Sequence, residues 1–494
     1  MAVLAIDQGT TSTGAMVVDA NGGGKLSRVI EHQQFYPQPG WVEHDPEELI
    51  ASISSCIESN NHVSAIGIDN QGESCLAWHA DTKEAISPVI VWQDNRTQST
   101  IDRLKTEGVE SYVLEQTGLP LDSYFSASKL AWIVETLPEA KDLLGKGKLR
   151  LGTTDAFFLD RLAGKFVTDI TTASRTSLMN LKTGQWDKEL CRIFGVPMDA
   201  LPAIVPTTGD FGVVSTKGKH IPITASIVDQ QASLYGHGCR ERGDAKVTFG
   251  TGAFALTVTG NDLLHAPDKG LLPTIAWQLH GEKPVYALDG GVYCASSAIN
   301  WARSLGLFHD FADINTFDGP SAIERNLAFV PALTGLACPH WDRSASGLWI
   351  GLSLDTGPLD MVRAIIEGVA FRAAEVLTAM DQQVPRRAAA AEVGTRSASG
   401  GAISIDGGMT ANPYFCQFLS TVLNREVIVP GITELTAFGT AMLAQPGVEL
   451  PEVTDSHRQV YYPARFTDIY SLKFNEAVER SKNWNSTIWQ EQES

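Results

Sequence analysis

The sequence predicts an α/β protein of two domains, and three observations carry that expectation. A glycine-threonine turn near the N-terminus, in which Leu4-Ala5-Ile6 runs through Asp7-Gln8-Gly9-Thr10-Thr11-Ser12-Thr13-Gly14 to Ala15-Met16-Val17-Val18, returns in altered form in mid-chain. Strand-length apolar runs alternate with helix-length segments in both halves. The 494 residues also exceed the size at which one hydrophobic core stops growing.

In the first half, Val3 to Val18 reads as strand, tight turn, strand; Glu47 to Ser59 as a helix; Ala65 to Ile68 and Pro88 to Trp92 as strands. Gly152 to Phe158 reads as a strand end that enters a helix through Leu162, and after Pro202 the pattern is loops and short strands until Ile227. The charged turn Cys239 to Asp244 precedes the second hairpin, which sets the expected domains at 1–241 and 242–494. In the second half Lys246-Val247-Thr248-Phe249 leads through Gly250-Thr251-Gly252 to Ala253-Phe254-Ala255-Leu256. Tyr286-Ala287-Leu288 then leads to Asp289-Gly290-Gly291-Val292, Ala295 to Ser304 is helical, Met361 to Met380 is a long amphipathic helix, and Ile403-Ser404-Ile405 is another strand feeding a glycine turn, Asp406-Gly407-Gly408. Arg386 to Gly401 reads as a solvated loop of small residues, and the polar stretch from Arg465 to Ser494 as a peripheral helix.

Composition narrows the function classes. With 57 acidic against 38 basic residues the net charge is -19, which repels nucleic acid and anionic membrane surfaces, so no nucleic-acid partner is expected. No apolar run approaches bilayer-spanning length, and the opening Met1-Ala2-Val3-Leu4-Ala5-Ile6 meets Asp7 without the basic flank of a secretion signal, so no membrane insertion is expected. The seven cysteines are widely spaced and form no C-x-x-C pair, which points to a reducing, cytoplasmic setting.

Glycine lets a backbone turn sharply and approach a ligand closely, while exposed turn N–H groups and Thr or Ser hydroxyls suit an anion. Two such turns could grip one polyphosphate from both sides. Either turn taken alone reads as an ordinary hairpin; the pair, with Asp7 at the start of the first, shifts the reading toward function. Asp229 stands in an otherwise uncharged stretch, Ala225-Ser226-Ile227-Val228-Asp229-Gln230-Gln231-Ala232, which fits a carboxylate at a strand end facing a cleft and fits a helix N-cap equally well.

The three turns together follow the pattern of the actin-like, ribonuclease H-like ATPase fold. Gly40-Trp41-Val42-Glu43-His44-Asp45-Pro46, Val91-Trp92-Gln93-Asp94-Asn95-Arg96-Thr97, Tyr124 to Trp132, Asp229-Gln230-Gln231-Ala232 and Val330 to Leu336 extend the match from residue 7 to about residue 444. On these motifs the chain resembles the FGGY carbohydrate kinases, and within them the glycerol kinase branch. The resemblance implies two actin-like domains with a catalytic cleft between them, ATP and Mg²⁺ as cofactors, and a small polyol or sugar as acceptor. Relatives are often homodimers or homotetramers.

Phosphoryl transfer to an alcohol needs a base near the attacking hydroxyl, a metal among the phosphates and donors that hold the groups in line. With the resemblance, Asp229 becomes the expected base. Asp7 and Asp229 are expected at the metal, Asp7 otherwise initiating the turn through an Asx bond. Thr10, Thr11, Ser12, Gly250, Thr251 and Gly252 are expected at the phosphates. The resemblance further implies Gly408 and Asn412 at the adenosine and Gln71, Gly72, Glu73, Trp92, Tyr124, Asp229, Gln230 and Phe254 around the acceptor. Core packing is the commoner fate of aromatics such as Trp92 and Phe254.

Two positions depart from the glycerol kinase pattern. An arginine usual between the glutamine and glutamate of the acceptor motif is Gly72 in Asn70-Gln71-Gly72-Glu73-Ser74, and a basic residue usual after the first turn is Gly14. Losing an arginine that hydrogen-bonds a polar ligand costs about 1.5–3 kcal/mol. These departures predict an acceptor larger than glycerol, a four- or five-carbon polyol or ketose. Glycerol itself and a weakly active or non-catalytic nucleotide-binding relative are the alternatives. An actin-like filament or chaperone protein would lack the acceptor set.

Overall fold

Val3–Gln8 alternates apolar side chains into two buried faces, and the Gly9 N–H closes the following turn on the Ser12 carbonyl at 3.0 Å, so Ser12–Val18 returns antiparallel alongside it. The computed structural model that shows this hairpin describes residues 2–384, 401–445, 458–465 and 467–485. The loop expected at 386–400 and the end of the polar tail lie outside them; the described part of that tail contains the helix Asp468–Ser481.

The hairpin belongs to a six-stranded mixed sheet with spatial order Val213–Thr216, Lys219–Val228, Ala65–Asn70, Val3–Gln8, Ser12–Val18, Gly24–Glu31. Its three central strands are parallel. Their register sets Asp7 beside Asp69, and Asn70 beside both Gln8 and Val228, so the carboxyl ends of all three finish at one level. Ligand sites of parallel α/β sheets gather at such strand ends. A seven-stranded sheet repeats the plan in the second half, with Ala245–Phe249 antiparallel to Ala253–Gly260 and parallel to Ile403–Asp406.

Two sequence expectations change. The run Pro88 to Trp92 supplies only the short strand Val89–Ile90, which joins Glu43–His44, Cys75–His79 and Leu149–Thr153 in a separate four-stranded sheet instead of extending the central one. Asp289-Gly290-Gly291 does not turn the chain: Val285–Val292 is one continuous strand. Gly290 is needed there for close packing, since a Cβ would come within 2.7 Å of Val376 Cγ1 on the long helix Pro358–Gln383. All seven cysteines are buried, and none is in a disulfide. Among the described residues no helix is long and apolar enough to cross a membrane.

The helix Leu435–Ala444 comes from the second half of the chain yet packs beneath the first sheet, its Ala437, Phe438 and Ala441 sharing a core with Val3, Ala5 and Ile227. It crosses the helix Asp229–Gly236 through two glycines. A Cβ on Gly236 would fall 2.0 Å from the Leu435 carbonyl oxygen, and one on Gly439 would fall 2.0 Å from that of Ala232. The helix that begins with Asp229 is thus fixed by backbone contact. Gly439→Ala should lower stability by about 3 kcal/mol, the cost of overpacking a tight contact, read as a fall in the thermal midpoint. Gly145→Ala, whose Cβ meets nothing within 4 Å, should leave the midpoint in place.

Candidate active site

Gln71, Gly72, Glu73, Trp92, Tyr124, Asp229, Gln230 and Phe254 all line one cavity of about 90 Å³, together with Thr10, Arg175 and Asp289. The cavity opens where the three parallel strands end, and the segments that leave those ends build its walls. After Asn70 the chain makes a three-residue turn, with the Ser74 N–H donating to the Gly72 carbonyl at 2.8 Å. At its centre Glu73 holds φ +64, a left-handed conformation that is costly for a residue with a Cβ. Arg175 secures that strained residue by donating from Nε to Glu73 Oε1 at 2.7 Å, and Ser126 Oγ donates to the Glu73 carbonyl.

Asp229 occupies the first turn of the helix Asp229–Gly236, with Val228 as the capping position, so the N-cap alternative does not hold. Its Oδ1 accepts from the Gln230 N–H at 2.6 Å. Burial, together with the neighbouring Asp7 and Glu73 carboxylates, pushes its carboxyl up to about 7, against the pull of the Gln230 N–H and Lys246. Gln230 is oriented by buried Lys246, whose Nζ donates to Gln230 Oε1 and Thr248 Oγ1 at 2.7 Å each. Gln71 donates from Nε2 to His44 Nδ1 at 3.3 Å, the His44 ring being kept neutral by burial, which moves its pKa down to about 4.

This cavity and the first hairpin share a wall. Trp92 Nε1 donates to Thr10 Oγ1 at 3.0 Å, and the indole meets Tyr124 edge-on at 5.5 Å. Beneath both lies Lys129, fully buried, with Nζ donating to the carbonyls of Trp92 at 3.1 Å and Tyr124 at 2.8 Å.

At the second hairpin, the Gly250 carbonyl accepts from Ser296 N and Oγ, and that of Thr251 from Ala295 N and Ser297 N. The N-terminal end of the helix Ser296–Ser304 therefore braces the turn. Gly252 packs so closely that a Cβ would sit 2.6 Å from the Val292 carbonyl oxygen. Thr11 and Thr251, at the two tips, are exposed. The third turn abuts the second: Gly407, at φ +92, would place a Cβ 2.3 Å from the Phe249 carbonyl oxygen, and Gly408 beside it is exposed with nothing within 4 Å of its Cβ position. Asn412 is differently engaged. Its Oδ1 caps the helix Pro413–Leu423 at Phe415 N and its Nδ2 donates to the Ile314 carbonyl, so both ends of the amide are committed within the chain.

Arg175, Asp289, Lys129, Lys246 and Asp69 were not singled out from sequence. A local signal was carried by Asp289, which closes the apolar run Tyr286-Ala287-Leu288, and by Asp69, a carboxylate ending the apolar strand Ala65-Ile66-Gly67-Ile68. It is fully buried; Thr440 donates to its Oδ2 at 2.7 Å while Oδ1 has no partner. Burial first, then Asp7, raises its pKa well above the usual carboxylate range.

Residues 2–236 match the N-terminal domain of the FGGY family of carbohydrate kinases, and residues 245–445 match its C-terminal domain. The chain belongs to the FGGY family of carbohydrate kinases. It is 38% identical over 463 residues to a glycerol kinase of Bdellovibrio bacteriovorus, covering 90% of each chain, and 40% identical over 459 residues to one of Rhizobium rhizogenes, covering 90% of this chain and 89% of that one. The solved Plasmodium falciparum glycerol kinase with ADP superposes with a TM-score of 0.87 at 29% identity over 97% of this chain and 98% of that one. The Lactobacillus acidophilus xylulose kinase, at 23% identity and a TM-score of 0.80 over 97% and 96%, shares the fold. The protein is thus an ATP-dependent carbohydrate kinase with the two-domain actin-like fold.

Among the described residues no group of three or more His, Cys, Asp or Glu forms a ready-made metal cage. The donor chemistry nevertheless fits Mg²⁺, which takes one or two carboxylates and completes its shell with phosphates and water. Asp7 and Asp229 repel one another, as do Asp69 and each of them, and Asp69 Oδ1 is an orphaned buried oxygen beside Asp7.

Lys129→Met would remove both carbonyl contacts under Trp92 and Tyr124. We expect the KM for the acceptor to rise about tenfold, the scale of losing hydrogen bonds from a charged donor, with the KM for ATP unchanged in steady-state assays.

Proposed function

We propose that this kinase phosphorylates a neutral four- or five-carbon polyol or ketose, with Asp229 as general base. The observation that carries this reading is the make-up of the acceptor cavity. Hydroxyl-binding groups (Gln71, Tyr124, Gln230), the apolar faces of Trp92 and Phe254, and three carboxylates (Glu73, Asp229, Asp289) surround a single arginine. That balance suits an uncharged acceptor and repels an acidic one. A second cavity of about 80 Å³ shares Tyr124, Arg175, Phe254 and Asp289 with the first, which supports room beyond three carbons.

In this reading Asp229 accepts the proton of the attacking hydroxyl while Glu73 and Gln230 orient its neighbours. Thr10, Thr11 and Ser12 from one side and Gly250, Thr251 and Gly252 from the other donate to the phosphates. Gly408 borders the adenosine and Asn412 shapes that border through its cap. Asp7 and Asp229 would hold Mg²⁺, which neutralises phosphate charge when bound. Closure of the two halves excludes the water that competes with the acceptor. Seven buried cysteines without a disulfide support a reducing, cytoplasmic setting. Phosphorylation of glycerol is the second reading, favoured by the names of the relatives at 38–40% identity.

Coupled ADP release over glycerol, erythritol, ribitol, xylitol, arabitol and the ketopentoses tests the acceptor class. The highest kcat/KM should fall on a four- or five-carbon compound; faster turnover of glycerol would reject that class. Asp229→Asn should lower kcat by about 10²–10⁴, the scale of general-base catalysis, with ADP affinity retained. A base must be unprotonated, so with its pKa near 7 the kcat/KM of the wild type should fall as pH drops through about 7; a flat profile between pH 5 and 8 would exclude Asp229 as the base.

A further inference from the structure

The cation missing at position 72 has a counterpart above it. A Cβ on Gly72 would lie 3.1 Å from Val228 Cγ1 and 3.9 Å from Arg175 Cγ, so the aliphatic stem of Arg175 passes over the glycine and occupies the space a long side chain there would need. Arg175 follows the short helix Ile170–Ala173, which Asp169 caps through Thr172 N at 2.8 Å. Thr171 Oγ1 of that helix accepts from Val228 N at 3.0 Å, tying it to the strand end that carries Asp229. The arginine and the proposed base are therefore held by one piece of backbone.

The Arg175 side chain is only 7% exposed and faces two carboxylates. Nε is spent on Glu73, whereas Nη1 lies 3.3 Å from Asp289 Oδ2 without hydrogen-bond alignment and is left with no hydrogen-bond partner. A buried guanidinium N–H without an acceptor is costly unless a ligand supplies one. The same side chain lines both cavities, as do Tyr124, Phe254 and Asp289. On the far side of this threshold Gly291 keeps the wall low, since a Cβ there would press to 3.4 Å from the Phe254 ring.

Resting on the acceptor class proposed above, we propose that Arg175 and Asp289 are the specificity-determining pair that reads the distal hydroxyls of a four- or five-carbon acceptor. Arg175 donates from Nη1, Asp289 accepts, and the carbon chain extends from the first cavity across Tyr124 and Phe254 into the second. The pair replaces a cation on the Gly72 turn with one reached from a different segment. Its position favours acceptors that carry a fourth carbon with its hydroxyl, because a shorter acceptor leaves Nη1 with only the poorly aligned Asp289 carboxylate and no hydrogen bond.

The test is steady-state kinetics of Arg175→Lys and Asp289→Asn on glycerol, erythritol, ribitol and xylitol. Arg175→Lys keeps the charge beside Glu73, and Asp289→Asn keeps shape and guards against a folding failure of the first variant. Each should raise KM for the four- and five-carbon acceptors at least about tenfold relative to glycerol, the effect of one lost hydrogen bond to a charged group. The KM for ATP should stay near wild type in both variants. Equal loss on all acceptors, or none on any, overturns the role of Arg175 and Asp289 while leaving the acceptor class standing. A wild-type preference for glycerol over every longer acceptor overturns both.

Discussion

Three carboxylates crowd the carboxyl ends of three parallel strands, and most of the site can be understood as the surroundings that make this tolerable. Asp7 and Asp69 sit side by side by strand register, and Asp229 begins the helix that leaves the neighbouring strand. Burial raises the pKa of all three, and the Asp7 carboxylate adds to the rise at Asp69 and Asp229. The fold supplies partial relief through Thr440 at Asp69, the Gln230 N–H at Asp229 and the Lys246 ammonium behind it. Oxygen-rich acceptors, phosphate-bound cations and a transferable proton are the species such a cluster is suited to meet.

Holding Asp229 in that place takes rigid packing from both halves of the chain. Its helix is pinned by glycine-mediated backbone contact with Leu435–Ala444, and Thr440 on the same crossing helix is the donor to Asp69. Lys246 and Asp406 come from the other sheet and meet the helix of Asp229 and the residue after it through Gln230, Ser233 and His237. Asp406 is kept strongly acidic by His237 and Lys246, so the far side of Lys246 carries a settled negative charge. Lys246 thus bridges the two halves electrostatically.

The hairpins, the long helix Pro358–Gln383 and the strand-to-helix passages at Leu149–Thr153 and Ile403–Asp406 were legible because period and turn chemistry agree locally. The continuous strand Val285–Val292 was not, because a Gly-Gly pair signals a turn in sequence whereas here it admits a helix at close range. The residues proposed for the acceptor could be gathered from their motifs and line one cavity, yet Arg175 on the same wall could not. Arg175 follows a four-residue helix with no periodic signal, and its relation to Glu73 spans 102 residues. Glycine at position 72 is visible in one dimension, whereas the passage of the Arg175 stem over it is visible only in three. Asn412 shows the reverse case, a motif residue whose side chain is absorbed by capping.

In the proposed reaction one carboxylate, on a helix fixed by both halves, receives the proton of a neutral acceptor whose far end lies beside Arg175. A crystal structure with Mg²⁺, ADP and the best four- or five-carbon acceptor addresses it most directly. An acceptor hydroxyl is expected within hydrogen-bond distance of the Asp229 carboxylate, with a distal hydroxyl on Arg175 Nη1. An acceptor bound with no hydroxyl on Asp229, or lying wholly outside the cavity between Trp92 and Phe254, would contradict it.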